Sequence, residues 1–287
     1  MERSGMRGGY VPGTLFLVAT PIGNLGDLTA RAGETLARAD FIICEDTRHT
    51  GHLLASLGLK KPTVSLPAFA EKARAERILE RLVAGQDAAL VTDAGTPAVS
   101  DPGEYLVAEA LAAGLRVVPI PGPSAVLAAL SASGLPTGRF HFLGFLPRQG
   151  PERSAMLDEV AGLRASLVIY ESPRRLAETL RELAGALGDR RGVVARELTK
   201  VHEEFVRGPL TELADKYAAE PPRGEVVLVV EGRTGVERWA EAEMRAALTA
   251  GLSRGERLKT LSAELARASG WPSTEVYRLA NAVKRSQ

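Results

Sequence analysis

Short apolar runs alternate with segments of helical periodicity through the first 120 residues, and this alternation constrains the fold more than any other feature. The apolar runs, each typical of a β-strand, are 14–19, 41–44, 63–66, 88–92 and 116–120. Helical patterns fill the intervals between them. A strand–helix–strand rhythm predicts a mainly parallel sheet covered by helices on both faces. Such sheets bind ligands at the carboxyl ends of their strands.

The chain changes character at the segment PIPGPS, residues 119–124. Three prolines in five positions stiffen the backbone and remove hydrogen-bond donors, which indicates a domain edge. Further strands are predicted at 140–145, 166–170, 193–196, 203–206 and 225–230. Only residues 197–202 separate two of these strands, so we expect an antiparallel hairpin and a mixed second sheet.

No strand pattern follows residue 233, where three short helical patterns remain. We therefore expect two unequal α/β domains, the first with a mainly parallel sheet and the second with a mixed one, and a small helical tail. The predicted boundaries are a flexible N-terminal arm at 1–13, an N-terminal α/β domain at 14–122, a C-terminal α/β domain at 123–232 and the tail at 233–287.

Composition excludes several classes of protein. The chain has 36 basic and 35 acidic residues, so its net charge says nothing about partners. No apolar run approaches the roughly 20 residues that a membrane span requires. The single cysteine, Cys44, fits a reducing cytoplasm. The four histidines do not have zinc-type spacing with that cysteine, so we expect no metal site. From the apolar runs and the cysteine content, we expect no membrane association and a cytoplasmic location.

Four loops share one construction, in which a strand ends in a turn and a helix begins. They are 20–27, 93–101, 121–124 and 171–174. The free amides at a helix start suit an anionic group. One such loop can be scaffold only, but four at strand ends can converge on one cleft. None contains GxGxxG or GxxxxGK[ST], so a standard dinucleotide or nucleoside triphosphate site is not supported.

The second loop, in the stretch LVTDAGTPAVSDPG, has the most local signals. Gly95 permits close approach of a backbone or ligand because it has no Cβ. Asp101 is predicted to cap a helix, with Pro102 at its first position and Glu104 completing a capping box. The caps predicted for the other three helices are Asp27, Ser124 and Ser172.

The motifs ATPIGNLGDLT, EDTRHT, VTDAGTPAVSDPG, PIPGPSAVLAAL, FLGFLPR, YESPRR, ARELTKVHEE and GEVVLVVEG occur in that order. From about residue 14 to 232 the chain resembles the ribosomal RNA small-subunit methyltransferase I family of the tetrapyrrole methylase superfamily. The resemblance implies transfer of a methyl group from S-adenosylmethionine to the ribose 2′-hydroxyl of a cytidine in the decoding region of small-subunit rRNA. It also implies two unequal α/β domains with the cofactor between them, and a homodimer.

The resemblance further implies a set of cofactor-binding residues on the strand-end loops. They are Pro21, Asp93, Gly95, Thr96, Pro97 and Ser124, with Gly224 and Glu225 nearby. Methyl transfer is an in-line displacement from a sulfonium to an oxygen, so much of its catalysis can be positioning. It requires no metal and no covalent intermediate with the enzyme.

The acceptor side is less specific in the sequence. A ribose hydroxyl is a poor acid, so either a base removes its proton or the proton leaves late. Glu197 and Lys200 lie beside the predicted hairpin turn, where each either assists the acceptor hydroxyl or makes an ion pair or phosphate contact.

Local clusters of basic residues indicate RNA contact. Arg48, Arg174 and Arg175 are the candidates in the matching motifs, and Arg148 lies in FLGFLPR. The tail has ten Lys/Arg against six Asp/Glu, and its last two helices resemble a helix-turn-helix. Either these helices hold rRNA phosphates or they pack as a structural element.

Two other functions remain open on the cofactor loops alone. One is a methyltransferase of the same superfamily that acts on a tetrapyrrole or corrinoid precursor; the EDTR, YESPRR and ELTKVHEE motifs and the basic tail argue against it. The other is a non-catalytic rRNA-binding assembly factor that retains the pocket. The matching motifs contain no inactivating change that favours it.

Overall fold

A computed structural model describes residues 11–234, 239–269 and 271–285, without the side chain of residue 267. The chain divides into two compact units, Met1–Gly232 and Arg233–Gln287. The first unit contains both sheets. The predicted N-terminal arm, apart from residues 11–13, lies outside the described residues.

The first sheet is parallel, as predicted, with strand order β3-β2-β4-β1-β5. Its strands are β1 (Thr14–Val18), β2 (Phe41–Cys44), β3 (Thr63–Ser65), β4 (Ala88–Leu90) and β5 (Arg116–Ile120). Its helices are α1 (Ala30–Arg38), α2 (Thr47–Ser56), α3 (Glu71–Val83) and α4 (Glu104–Ala112).

Both faces of this sheet are buried, and alternation along the strands divides them. Ile43 packs in a cluster with Ile78 of α3 and Leu106 of α4. Its neighbour Ile42 packs in another cluster, with side chains of α1 and α2. Successive residues of a strand point to opposite faces, so a run such as FIIC that is apolar at every position needs helices on both sides.

The second sheet is mixed, as predicted, with strand order β6-β7-β10-β8-β9. Its strands are β6 (Phe140–Phe145), β7 (Ser166–Glu171), β8 (Arg191–Arg196), β9 (Glu204–Pro209) and β10 (Val226–Val230), and its helices are α5 (Ala125–Ala132), α6 (Pro151–Ala161), α7 (Leu176–Leu187) and α8 (Leu210–Ala219). β6 and β7 are parallel, and the other pairs are antiparallel. The hairpin predicted between β8 and β9 is present.

Helices α6, α7 and α8 pack on one face of the second sheet. On the other face, Val126 and Leu130 of α5 share a cluster with Val168 and Val227. Ile22, from the loop after β1, belongs to the same cluster. This loop of the first domain therefore reaches the core of the second.

The tail unit consists of α9 (Glu241–Ser253), α10 (Leu258–Ser269) and α11 (Ser273–Arg285). The three helices share an apolar core that includes Met244, Leu261 and Val276. The helical patterns in the sequence predict the last two at 258–268 and 273–283, and both begin at those positions. Within the described ranges, no helix combines the length and apolar character needed to cross a bilayer.

One of the predicted helix caps is present. Ser124 precedes α5, and its Oγ accepts a hydrogen bond from the Leu127 amide at 3.5 Å. Asp27 was wrong as a cap, because it ends a 3₁₀ turn and Thr29 caps α1 instead. The Thr29 hydroxyl accepts from the Ala32 amide at 3.2 Å.

The caps predicted at Ser172 and Asp101 were also wrong. Helix α7 begins only at Leu176. Ser172 instead starts a turn, in which its carbonyl accepts a hydrogen bond from the Arg175 amide. Helix α4 begins at Glu104 after Gly103, and a single oxygen of Glu71 accepts from the Gly103 and Leu106 amides, both at 3.0 Å. Glu71 lies on α3, so a carboxylate distant in sequence does the work that the local pattern assigned to Asp101.

Candidate active site

A cleft of about 500 Å³ opens between the two sheet domains. All four strand-end loops contribute to its wall, and the start of β10 and Leu198 complete it. The lining residues are Ile22, Glu45, Asp93, Ala94, Thr96, Val99, Ser100, Asp101, Ser124, Ala125, Phe145, Tyr170, Glu171, Ser172, Pro173, Leu198 and Gly224 to Val227. Parallel strands end at one edge of their sheet, which brings these separate loops together.

The expected cofactor residues divide into two groups. The lining includes Asp93, Thr96, Ser124, Gly224 and Glu225, whereas Pro21, Gly95 and Pro97 are not among the lining residues of the described chain. Gly95 acts through its backbone. Its amide donates to the Thr20 carbonyl at 3.1 Å, and its carbonyl accepts from the Thr20 amide at 2.9 Å. These bonds tie the loop after β4 to the loop after β1.

The backbone at Gly95 has a φ of +90°, a region that L side chains rarely adopt. A Cβ there would lie 3.4 Å from Cγ2 of Ile22, a residue of the cleft wall. The neighbouring Thr96 hydroxyl donates to the Pro123 carbonyl at 3.2 Å, which ties in a third loop. Glycine is therefore required by conformation at the point where three loops meet.

The loop after β4 and its neighbours make one wall of the cleft acidic. Burial is the main cause that raises the pKa of Glu45 and of Asp101, and the charge of Asp93 adds to both shifts. Burial, with the charge of Asp101, also raises the pKa of Tyr170 to about 12. Oδ1 of Asp93 is buried and has no hydrogen-bond partner among the described residues. This wall suits a cationic ligand with hydrogen-bond donors.

Glu197, Lys200 and Glu225 form a second charged group, which we call the Lys200 cluster. Nζ of Lys200 donates to Oε1 of Glu197 at 2.8 Å and to Oε2 of Glu225 at 3.0 Å. The same Glu197 oxygen accepts from the Glu225 amide. A Cβ on Gly224 would lie 2.3 Å from Cδ of Glu197, and one on Gly23 would lie 2.5 Å from Cγ of Lys200. The cluster thus touches the first loop and borders the cleft at Glu225.

The pKa shifts of the Lys200 cluster keep both charges in place. Partial burial acts to lower the pKa of Lys200, but its bonds to Glu197 and Glu225 outweigh this and raise it. The hydrogen bond from Lys200 is the main cause that lowers the pKa of Glu197. A lysine that stays protonated and a carboxylate that is held ionised form an ion pair, and neither is matched to proton transfer near neutral pH.

A third charged group, centred on the buried Glu171 of the cleft lining, comprises Glu171, Arg175, Thr179, Arg153 and Glu182, and we call it the Glu171 network. Glu171 accepts from the Ser172 amide at 2.6 Å, from Arg175 at 2.8 and 2.9 Å, and from the Thr179 hydroxyl at 2.7 Å. Burial acts to raise its pKa, but these hydrogen bonds outweigh it and the pKa is lowered.

The Glu171 network joins the loop after β7 to the loop after β6. Arg175 donates to the Leu146 carbonyl at 3.2 Å, and Arg153 donates to the Pro147 carbonyl at 2.8 Å. Arg153 also bonds Thr179 and Glu182. Arg175, a predicted RNA contact, is therefore engaged with its own domain.

The other two predicted RNA contacts are exposed. Arg48 forms an ion pair at 2.8 Å with Asp46, the N-cap of α2, and this bond is the main cause that lowers the pKa of Asp46. Arg174 is exposed and has no ion pair among the described residues. Neither Arg48 nor Arg174 is a lining residue of the cleft.

Several lining residues were not among the predicted site residues, and those with ionisable or aromatic side chains that bear on the chemistry include Glu45, Asp101, Phe145 and Tyr170. Each belongs to a motif noted above, so the motifs were the available signal. Asp101 was assigned to helix capping, and the two aromatic residues were read only as strand positions. No group of three or more His, Cys, Asp or Glu arranged to hold a metal occurs within the described ranges.

Comparison with known proteins agrees with the fold and the motifs. The model of the tetrapyrrole (corrin/porphyrin) methylases matches residues 14–214. The ribosomal RNA small subunit methyltransferase I of Synechocystis sp. is 44% identical over 270 residues, 93% of this chain and 97% of that protein. The protein of the same name from Mesorhizobium japonicum is 51% identical over 218 residues, 75% of this chain and 74% of that protein.

Among solved structures, uroporphyrin-III C-methyltransferase from Thermus thermophilus, complexed with S-adenosyl homocysteine, has a TM-score of 0.57 and 21% identity. The two structures align over 76% of this chain and 97% of the other, and this likeness shows that they share a fold. The chain belongs to the tetrapyrrole methylase family and, within it, to the group of the ribosomal RNA small subunit methyltransferases I.

Proposed function

We propose that this chain transfers a methyl group from S-adenosylmethionine to the ribose 2′-hydroxyl of a cytidine in the decoding region of small-subunit rRNA. The relatives described above support the reaction and the rRNA substrate. The observation that carries the proposal is the cleft, in which four loops converge beside a buried carboxylate oxygen of Asp93 that has no hydrogen-bond partner in the described part of the chain.

The residues of the cleft fit S-adenosylmethionine. A volume of about 500 Å³ lies in the usual range for small-molecule sites. Carboxylates of Glu45, Asp93 and Asp101 suit a ligand that carries a sulfonium and an ammonium group. Apolar side chains such as Ile22 and Val227 suit its adenine ring. When bound, the cofactor supplies an electrophilic methyl group.

The chain contributes position and electrostatics to the reaction. Asp93, Thr96, Ser124, Gly224 and Glu225 hold the cofactor from the wall, and Pro21, Gly95 and Pro97 shape the loops behind it. The Lys200 ammonium, held charged by Glu197 and Glu225, attracts the acceptor strand and orients its hydroxyl. Arg48 and Arg174 contact phosphates, whereas Arg175 aligns the loop that carries Arg174.

The decisive experiment compares two substrates. In the proposed reaction, the purified chain methylates small ribosomal subunits from a strain that lacks the gene, and leaves corrinoid precursors unmodified. Mass spectrometry of rRNA from that strain shows a missing ribose methyl group, which the chain restores. Methylation of the corrinoid alone, or rRNA that is fully methylated in the deletion strain, would contradict the proposal.

Gly95→Val tests the cofactor site separately. We expect calorimetry to detect no binding of S-adenosylmethionine, because valine is strained at a φ of +90° and its branches press on Ile22. Gly33→Val is a matched control, since a Cβ on Gly33, in α1, meets nothing within 4 Å. Unchanged affinity in the Gly95 variant, with normal affinity in the control, would remove this loop from the site.

The quaternary assignment rests on the family resemblance, and the subcellular assignment rests on the proposed rRNA substrate. We propose a homodimer that acts in the cytoplasm, where ribosomal subunits are assembled, with domains at 14–122 and 123–232.

We also propose that the tail, 233–287, adds rRNA contacts through its ten basic residues. Deletion of residues 254–287 should weaken subunit binding more than cofactor binding, as measured by sedimentation and calorimetry. A deletion that weakened cofactor binding more than subunit binding would make the tail a structural element. The molar mass of the full-length chain, measured by light scattering, tests the proposed dimer.

A further inference from the structure

Phe145 lines the cleft, yet 61% of this large aromatic residue is exposed. It is the last residue of β6, and Phe142 of the same strand is instead partly buried against the cluster on the inner face of the sheet. An aromatic ring left open to solvent inside a cleft offers a face for a planar ligand.

A β-bulge puts the Phe145 ring in this place. Phe142 pairs with Val168, and Phe145 pairs with Tyr170, so three steps along β6 match two along β7. Regular alternation would send Phe145 to the same face as Leu143, which packs against the outer cluster. The extra residue turns Phe145 to the inner face instead, where it meets the cleft. Bulges next to active sites commonly redirect a side chain in this way.

The bulge also belongs to the site by contact. Gly144 has a φ of +61°, and a Cβ there would lie 2.9 Å from Oγ of Ser100, a lining residue. The Phe145 ring leans on Tyr170 at 5.5 Å between centroids, and Tyr170 packs edge-on against Phe142 at 5.0 Å. The ring is therefore supported from behind while its outer side stays open.

Two exposed arginines lie on the loops that follow β6 and β7, the strands of Phe145 and Tyr170. Arg148 lies three positions after Phe145, and Arg174 lies on the loop after β7. The Glu171 network ties these two loops together through the Leu146 and Pro147 carbonyls. Neither arginine has an ion pair among the described residues. Cations beside an open aromatic face match a nucleic-acid strand, whose phosphates and bases alternate at short range.

We propose that Phe145 is the stacking platform for a nucleobase of the acceptor strand, with Arg148 and Arg174 holding the neighbouring phosphates. This inference rests on the proposed function. An enzyme that modifies a nucleotide within a structured RNA draws that nucleotide out of its stack, and an aromatic side chain replaces the lost stacking. The occupant is a base of the rRNA rather than the adenine of the cofactor, because the Phe145 ring is largely exposed and the loops that follow β6 and β7 carry exposed arginines, which match a polyanion.

The test measures two constants for each variant of the full-length chain: the KM for small ribosomal subunits and the Kd for S-adenosylmethionine. Phe145→Ala is expected to raise the subunit KM by about tenfold, as loss of one base–aromatic stack does, and to leave the cofactor Kd unchanged. Phe145→Leu, which keeps an apolar side chain without a ring, should behave like the alanine variant. Phe145→Trp should retain the wild-type KM.

Phe69→Ala is the matched control, because Phe69 is 92% exposed and is not a lining residue. The control should leave both constants unchanged. An increased cofactor Kd in Phe145→Ala would assign the ring to the cofactor and overturn the proposal. A wild-type KM in the alanine and leucine variants, or an equal change in the control, would overturn it too. If the wild-type chain methylated no subunits, the proposed function itself would fail.

Discussion

The Glu171 network and the Lys200 cluster flank the same cleft and use the same chemistry, yet they differ in burial. The Glu171 side chain is 0% exposed, and both of its oxygens accept hydrogen bonds. In the Lys200 cluster, the Lys200 and Glu225 side chains are 30% and 74% exposed. The two cations are similarly exposed, Arg175 at 25% and Lys200 at 30%, so the difference lies in the carboxylates: Glu171 is closed to a ligand, and Glu225 is open to one.

This difference in burial distinguishes a structural group from a group that can contact the substrate. A buried carboxylate whose donors are all internal has no capacity left for a ligand, so the Glu171 network can only align the loops around it. The open ammonium of Lys200 keeps the capacity to exchange a partner when a polyanion arrives. The sequence motifs that contain the two groups, YESPRR and ELTKVHEE, are both rich in charged residues. Their roles are distinguished only by the burial of their carboxylates in the folded chain.

The largest expected effect comes from breaking the buried side of the comparison. Glu171→Gln should lower the free energy of unfolding by about 3 kcal/mol, because it leaves the Arg175 charge without its partner. Chemical denaturation at pH 7 measures this. Asp215→Asn is the control: its pair with Arg181 is exposed at 3.7 Å, and such pairs contribute about 0–1 kcal/mol. Equal effects in the two variants would contradict the distinction.

A smaller effect, in activity rather than stability, is expected on the open side. Lys200→Met should lower the single-turnover rate by about tenfold or more, because the acceptor strand loses a positioned cation. Its melting temperature should stay within about 2 °C of the wild type. Glu197→Gln, which retains size and loses charge, should slow the reaction less. Near-normal rates in both variants would remove the cluster from the chemistry.

The smallest expected effect is a change with pH in the stability that Glu171 contributes. The pKa of Glu171 is lowered in the folded state, so the stability it contributes is present above its unfolded pKa, about 4.3. That stability is lost as the pH falls through the lower, folded pKa. The difference in unfolding free energy between wild type and Glu171→Gln should therefore be constant near pH 7 and shrink below about pH 4. A difference that grew on acidification would show the opposite linkage.

The strands and the class of each sheet could be predicted because their signals are local. An apolar run such as FIIC and a connection as short as 197–202 depend on adjacent residues alone. Helix starts were predicted less well. Glu71 caps α4 across 32 positions of chain, and no pattern around Asp101 reveals a carboxylate that approaches from another helix.

The candidate site shows the same division. The strand–turn–helix pattern predicted the loops that surround the cleft, and the family resemblance indicated Asp93, Ser124 and Gly224, which line it. Phe145 was missed because a one-residue bulge reverses the face to which it points, and strand periodicity contains no information about the partner's register.

For this chain, periodicity and loop length are sufficient for the two sheets and the hairpin, since each depends on neighbouring residues, and the order of the motifs is sufficient for the family. Burial and register are not local properties, because they depend on which distant segments pack together. The folded structure therefore settles that Arg175 is paired with Glu171 and only 25% exposed, while Arg174 is exposed. It likewise settles that Asp101 lies in the cleft wall and does not cap α4.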